Sequence, residues 1–306
     1  MGATMISSWL LYSLSAAAFW GFTNVIDQIV QRNYAKDSVS FTLVSSFVRL
    51  PIGLGLFFLF GFYVPSMPVL LMTFFFSFLS MAGVFFYLRA LHIEEVSRVM
   101  LLGQSMPVFV LFLSFLFLGE TLTLSQILGF LVLLFAGFLS VAKFSVSGKF
   151  FSDATIWAIS AVLMWAISNT LLAYIMRSVP SGQMLLPWSY IGSSLSAVVV
   201  CFFPTVRKEF SWKSFSWLRN RHGFWLFMLS VLPTVPGFYF FFRAFAVGKA
   251  SLITVALGVQ PFFVSFFLFL LGFFFVSVPR EDYAFRPMMI KMSAFVLSIV
   301  GLWMIQ

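Results

Sequence analysis

The chain has 306 residues, of which 61% are hydrophobic, 20% aromatic and 9% charged. Soluble domains average about 45–50% apolar and about 25% charged residues, so a soluble fold is excluded, as is disorder, which needs low hydrophobicity and high charge. Eighteen Lys and Arg against nine Asp and Glu give a net charge of +9; in so apolar a chain this reads as basic loops facing anionic lipid and cytoplasm, with no nucleic-acid partner.

A spanning helix needs about 20 apolar residues. Ten such runs are bounded by charges, prolines and polar clusters: 8–31, 39–62, 68–91, 97–118, 124–143, 154–177, 183–204, 223–246, 250–273 and 288–305. Strand alternation is absent, and runs this continuous must be helices, which alone satisfy their own backbone hydrogen bonds in lipid. The expected fold is therefore all-α, a polytopic membrane protein of ten spans. The first run lacks the basic start and short core of a cleaved leader and reads as span 1. Cys201 is the only cysteine, which leaves no intramolecular disulfide and no cysteine metal cluster.

In chain order, span 1 carries Ala16, Trp20, Thr23, Asn24 and Asp27, spaced as one face of a 3.6-residue helix. Such a polar stripe lines a substrate cavity or hydrogen-bonds neighbouring helices. An ionised Asp27 in an apolar run is expensive and marks a functional candidate: a proton carrier, an ion-pair partner of Arg49, or a side chain reaching the interface. A polar hinge, Arg32 to Asp37, leads to span 2, where Arg49 is the only basic residue near the centre of a run. One cation argues against multiply charged phosphorylated substrates, which need clusters of Lys and Arg. After span 3, His92, Glu94, Glu95 and Arg98 read as a solvated turn, without the second His of a zinc-protease motif.

Span 4 holds Gly103, Gln104 and Pro107, and ends in the tight polar turn Gly119-Glu120-Thr121. Span 6 repeats the span 1 stripe as Ala161, Trp165, Ser168 and Asn169, with Leu172 near the place of Asp27. The 204–222 loop carries five basic residues, and a second charged loop runs from 279 to 286. Span 9 holds Gly258, Gln260 and Pro261. A helix-interior proline frees a carbonyl and bends the helix, so Pro107 and Pro261 are expected kinks or gates, with Gln104 and Gln260 as cavity-lining candidates.

Residues 10–32 and 155–177 share five identities, among them Trp20/Trp165, Asn24/Asn169 and Arg32/Arg177. Residues 83–110 and 237–264 share eight, among them Gly83/Gly237, Arg89/Arg243, Ser97/Ser251 and Pro107/Pro261. The chain is thus expected to be two five-helix repeats, 1–147 and 148–306. Five is odd, so the second repeat enters the membrane from the opposite side; inverted repeats with a site near the midplane are a common transporter plan.

The segments SAAAFWGFTNVI and SFVRLPIGLGLFF, the Tyr87-x-Arg89-Ala90-Leu91 element, Pro107 and the Gly119-Glu120-Thr121-Leu122-Thr123 turn, in this order, resemble the EamA-type transporters of the drug/metabolite transporter superfamily. The resemblance implies a ten-helix exporter or exchanger of small metabolites, and a scaffold role for Arg49. In the second half, Gly272 is followed by a run of Phe where the Gly-Glu-x-Leu turn would stand.

These readings combine in a secondary transporter of the cell membrane, working by alternating access on a small metabolite such as an amino acid or similar zwitterionic or apolar compound. Trp20, Thr23, Asn24, Trp165, Ser168, Asn169, Gln104 and Gln260 are the candidate substrate residues; Asp27 and Arg49 are the candidate coupling or ion pair. Protons are the candidate coupling ion, no cofactor or metal is called for, and two halves make one unit, so a monomer suffices. No catalytic constellation supports an intramembrane enzyme; a channel or scramblase is the other alternative. Let side A be the face on which the chain begins and side B the opposite face. Side-B loops hold fourteen Lys and Arg and side A three, which places side B in the cytoplasm. The family resemblance implies the reverse orientation.

Overall fold

The computed structural model describes residues 7–35, 38–93, 96–141, 153–179, 182–202, 212–272 and 285–306, and the regular structure among them is entirely helical. Lys36, Asp37, Glu94, Glu95, residues 203–211 of the long basic loop and the charged loop up to 284 lie outside the described residues. The α-helices are α1 Ser8–Asn33, α2 Ser38–Phe60, α3 Met67–Ile93, α4 Val96–Gly103, α5 Met106–Leu118, α6 Leu124–Val141, α7 Asp153–Ser178, α8 Leu186–Cys201, α9 Arg221–Val231, α10 Thr234–Val247, α11 Ala250–Leu257, α12 Gln260–Gly272 and α13 Phe285–Met304. Among the described residues nine segments are long and apolar enough to cross a membrane, and α13 adds the shorter apolar stretch Met289–Met304. The outer surface carries strongly exposed Phe58, Leu59, Phe117 and Trp303, a belt that lipid covers.

Three spans are broken helices: span 4 is α4 and α5, span 8 is α9 and α10, span 9 is α11 and α12. In span 4 the Ser105 N–H bonds the Leu102 carbonyl at 3.0 Å, and in span 9 the Gly258 N–H bonds the Val255 carbonyl at 3.0 Å. These are tightened 3₁₀ turns. Each stands just before a proline, Pro107 or Pro261, whose missing N–H and ring prevent a regular continuation. Span 8 breaks in the same manner at Leu232 and Pro233, within a run expected to be continuous.

The helix packing is reciprocal between the halves. Span 1 packs on spans 8 and 9, and span 6 packs on spans 3 and 4. Spans 5 and 10 pack on each other, as do spans 2 and 7. Where spans 5 and 10 cross, a Cβ on Gly129 would lie 3.0 Å from the Gly301 carbonyl oxygen, and one on Gly301 would lie 3.1 Å from that of Gly129. Only glycine on both sides allows backbones this close, the small-residue contact typical of helices in lipid. The buried core, with Ala16, Ala17, Ala166, Ala173 and Phe245, lies along α1, α7, α10 and α11.

Candidate functional site

Between the two halves lies a cavity of about 530 Å³, whose walls include Trp20, Asp27, Arg49, Gln104, Pro107, Trp165, Asn169 and Gln260. A smaller cavity of about 210 Å³ adjoins it, lined by Trp20, Thr23, Asn24, Asp27, Arg49, Ser230 and Thr234. Trp20, Asp27, Ser45, Arg49 and Phe238 line both. The larger cavity takes Thr42, Ser45 and Ser46 from early α2, Ser80, Met81 and Val84 from late α3, and Gly103 and Gln104 from the end of α4. All lie from mid-membrane toward side B. Small-molecule sites commonly measure about 300–1,000 Å³ and pair apolar walls with a few placed polar groups. This cavity does so with aromatics, amides, hydroxyls, one acid and one base.

The two tryptophans differ in their commitments. Trp165 donates its indole N–H to the Ser80 carbonyl at 3.1 Å, and its ring lies 5.6 Å from that of Tyr87. Trp20 packs between Phe238 at 5.4 Å and Phe241 at 4.9 Å, and its N–H has no protein partner among the described residues. Asn24 is exposed to the smaller cavity. Asn169 turns its amide toward the Met106 sulfur at 3.6 Å.

Two expected site residues lie elsewhere. Ser168 is buried where α7 meets α3; its hydroxyl pairs with the Ser80 hydroxyl at 2.7 Å and reaches the Phe76 carbonyl at 3.2 Å. Pro261 lines neither cavity, although its neighbour Gln260 lines the larger one. Thr23 lines the smaller cavity, while its hydroxyl donates to the Ser230 carbonyl at 3.2 Å and so ties α1 to α9.

Asp27 has the Ser230 hydroxyl and, further off, the Arg49 guanidinium as its polar surroundings. The Arg49 guanidinium stands over the rings of Phe238 and Tyr190, at 5.6 and 6.0 Å from their centroids. Asp27 and Arg49 face the same space without an ion pair.

On side A the halves are latched together. Gly119 ends α5 with φ of 63°, in the left-handed region, and turns the buried Glu120 back into the protein. The Glu120 carboxylate accepts the Ala250 N–H at 2.8 Å, the Ser251 N–H at 3.3 Å and the Ser251 hydroxyl at 3.0 Å. It thereby caps the start of α11, where orphan amides and the helix dipole favour a negative charge. Arg177, at the end of α7, closes an ion pair on the same carboxylate. Lys249 Nζ adds bonds to the Thr121 carbonyl at 2.7 Å and Gln126 Oε1 at 3.0 Å. In the sequence this is a tight polar turn; the signal of a buried acid within it is a Glu directly after a helix-ending Gly.

The helices, the lipid-facing belt and the central cavity define an integral multi-pass membrane protein. Residues 7–142, a little under half of the chain, match the model of the EamA-like transporter family of the drug/metabolite transporter superfamily. A solved crystal structure of a protein superposes with a TM-score of 0.71 at 16% identity, over 97% of this chain and 96% of that one, and shows the same fold. No curated protein matches the sequence.

Proposed function

We propose that the chain is a secondary transporter of the cell membrane that moves a small metabolite, such as an amino acid or similar zwitterionic or apolar compound, by alternating access. The observation that carries this reading is the central cavity, walled by both halves, aromatic and amide-bearing, and holding one acid and one base. Amino acids and similar compounds suit a cavity with aromatic and amide groups and few charges. The reciprocal packing of spans 1, 3, 6 and 8 supports two inverted repeats, 1–147 and 148–306, as the rocking units. The cavity's displacement toward side B and the Glu120 latch on side A support one closed end and one end of access. Asp27 is the candidate for proton coupling, and one chain supplies both cavity walls, so a monomer suffices.

Counterflow in liposomes tests the proposal. Purified protein should accumulate labelled amino acid against an unlabelled internal pool, with saturation. A flux that rises linearly with concentration would point to a channel or scramblase and overturn it.

A further inference from the structure

Arg49 lies at membrane depth on the wall shared by both cavities, yet it makes no hydrogen bond or ion pair with any described residue. A scaffold arginine would spend its donors on carbonyls or on Asp27. Here the guanidinium face is held by the Phe238 and Tyr190 rings, at 5.6 and 6.0 Å, which position the plane and leave its edge donors unused. The Tyr190 hydroxyl is itself engaged with the Thr234 hydroxyl at 3.0 Å, so the aromatic support is fixed in turn. An arginine with unused donors in a low-dielectric site is costly without an acceptor, and its forked edge matches a carboxylate. Among the residues lining either cavity it is the only base, and Asp27 the only acid.

We propose that Arg49 is the carboxylate anchor of the substrate site, its guanidinium donating to one carboxylate of a ligand whose remaining body packs against Trp20 and Phe238. This rests on the transporter reading and narrows it: the substrate must carry a single carboxylate. A lone cation without a second Lys or Arg does not suit a doubly charged phosphate.

The experiment screens a panel of L-amino acids for thermal stabilisation of the purified protein. The best amino acid is then compared with its primary amide, which keeps the ammonium and side chain and lacks the carboxylate. Counterflow is measured with wild type, Arg49→Gln and Arg49→Lys, each checked for a monodisperse profile. In wild type the amino acid should exchange and its amide should not compete. In Arg49→Gln the KM for the amino acid should rise about 10–100-fold, the loss of a charge-assisted hydrogen bond, with Arg49→Lys in between because it keeps the charge without the fork. An unchanged KM in Arg49→Gln, or an amide that competes as well as its parent, overturns the anchor and leaves the transporter standing. Saturable exchange restricted to solutes without a carboxylate does the same. Absence of saturable exchange for every solute overturns the transporter reading and the anchor with it.

Discussion

The Trp20 indole lies across Gly237, where a Cβ would stand 2.9 Å from its Nε1. Trp165 lies across Gly83 in the same way, leaving no room for a Cβ there. Each half thus sends a tryptophan onto a glycine of the other half, and both the tryptophans and the glycines are repeat-related in sequence. The glycine fixes how far the indole withdraws from the cavity, so its substitution tests the site without touching a cavity side chain. Gly237→Ala should push Trp20 forward and reduce counterflow several-fold, at a stability cost of about 1–3 kcal/mol from overpacking. Normal transport with unchanged stability would show that the contact has slack.

The two tryptophans should separate by phenotype. Trp165 is bonded to Ser80, so Trp165→Ala should lower thermal stability, by about 3 kcal/mol or more for a large cavity. Trp20 has an N–H without a partner among the described residues and faces both cavities, and Asn24 faces the smaller one. Trp20→Ala and Asn24→Ala should abolish uptake while the protein inserts and stays monodisperse. If both variants transport normally, the span 1 stripe is packing and the site lies elsewhere.

The Glu120 latch joins residues 130 positions apart, from Glu120 to Ala250. Glu120→Ala would leave the start of α11 uncapped and Arg177 without its partner. The expected cost is about 2 kcal/mol or more, because buried donors lose a charged acceptor. In a Cys201→Ser background, Thr254→Cys on the cavity wall should be slow to react with a membrane-impermeant thiol reagent applied from side A. Adding Glu120→Ala should speed that reaction. Equal rates with and without Glu120 would show that the latch does not hold side A closed.

Asp27 offers a test of coupling. Asp27→Asn keeps size and hydrogen bonding and removes the exchangeable proton. It should preserve counterflow, which needs no net driving force, and remove accumulation driven by a pH gradient. Unchanged pH-driven accumulation in this variant would remove Asp27 as the proton carrier.

How much of this was legible in the sequence follows from the range of each interaction. The spans were legible because apolar continuity and backbone self-satisfaction are local. The stripe Trp20, Asn24 and Asp27 was legible because one helix presents it, and ten of the twelve singled-out residues line a cavity. Ser168 has the same spacing as Thr23 but meets α3 instead, a distinction set by the neighbour helix and invisible in one helix's periodicity. The break in span 8 is marked by Pro233 and Pro236, but the run around them stays apolar, so apolar continuity alone reads it as one helix. The role of Glu120 was not legible as a span feature, since its partners arrive from two other helices.

Orientation is the remaining test. Side B carries Arg32, Lys36, Arg89, Arg98, Lys143, Lys149, Arg207, Lys208, Lys213, Arg219, Arg221, Arg280, Arg286 and Lys291, and side A only Arg177, Arg243 and Lys249. The structure adds that all three side-A cations have protein partners. Arg177 pairs with Glu120, Lys249 bonds Thr121 and Gln126, and Arg243 stands 3.4 Å from Gln183 Oε1 and 5.5 Å from the Tyr12 ring centroid. They serve the closure between the halves, so side A presents little basic charge of its own. The positive-inside rule counts Lys and Arg in short loops and acts on the chain during insertion. It therefore places side B in the cytoplasm and both ends of this chain outside, against the orientation that the family resemblance implies. Inverted halves make a whole-molecule flip cheap in structural terms, because each half already folds in the opposite sense to the other. A reporter fused after Gln306 that fluoresces only in the cytoplasm should stay dark. Phe215→Cys, in the Cys201→Ser background, should be shielded from an impermeant thiol probe in intact cells and react once the membrane is opened. A fluorescent reporter together with external labelling at position 215 would show that side A is cytoplasmic and that the charge bias does not orient this chain.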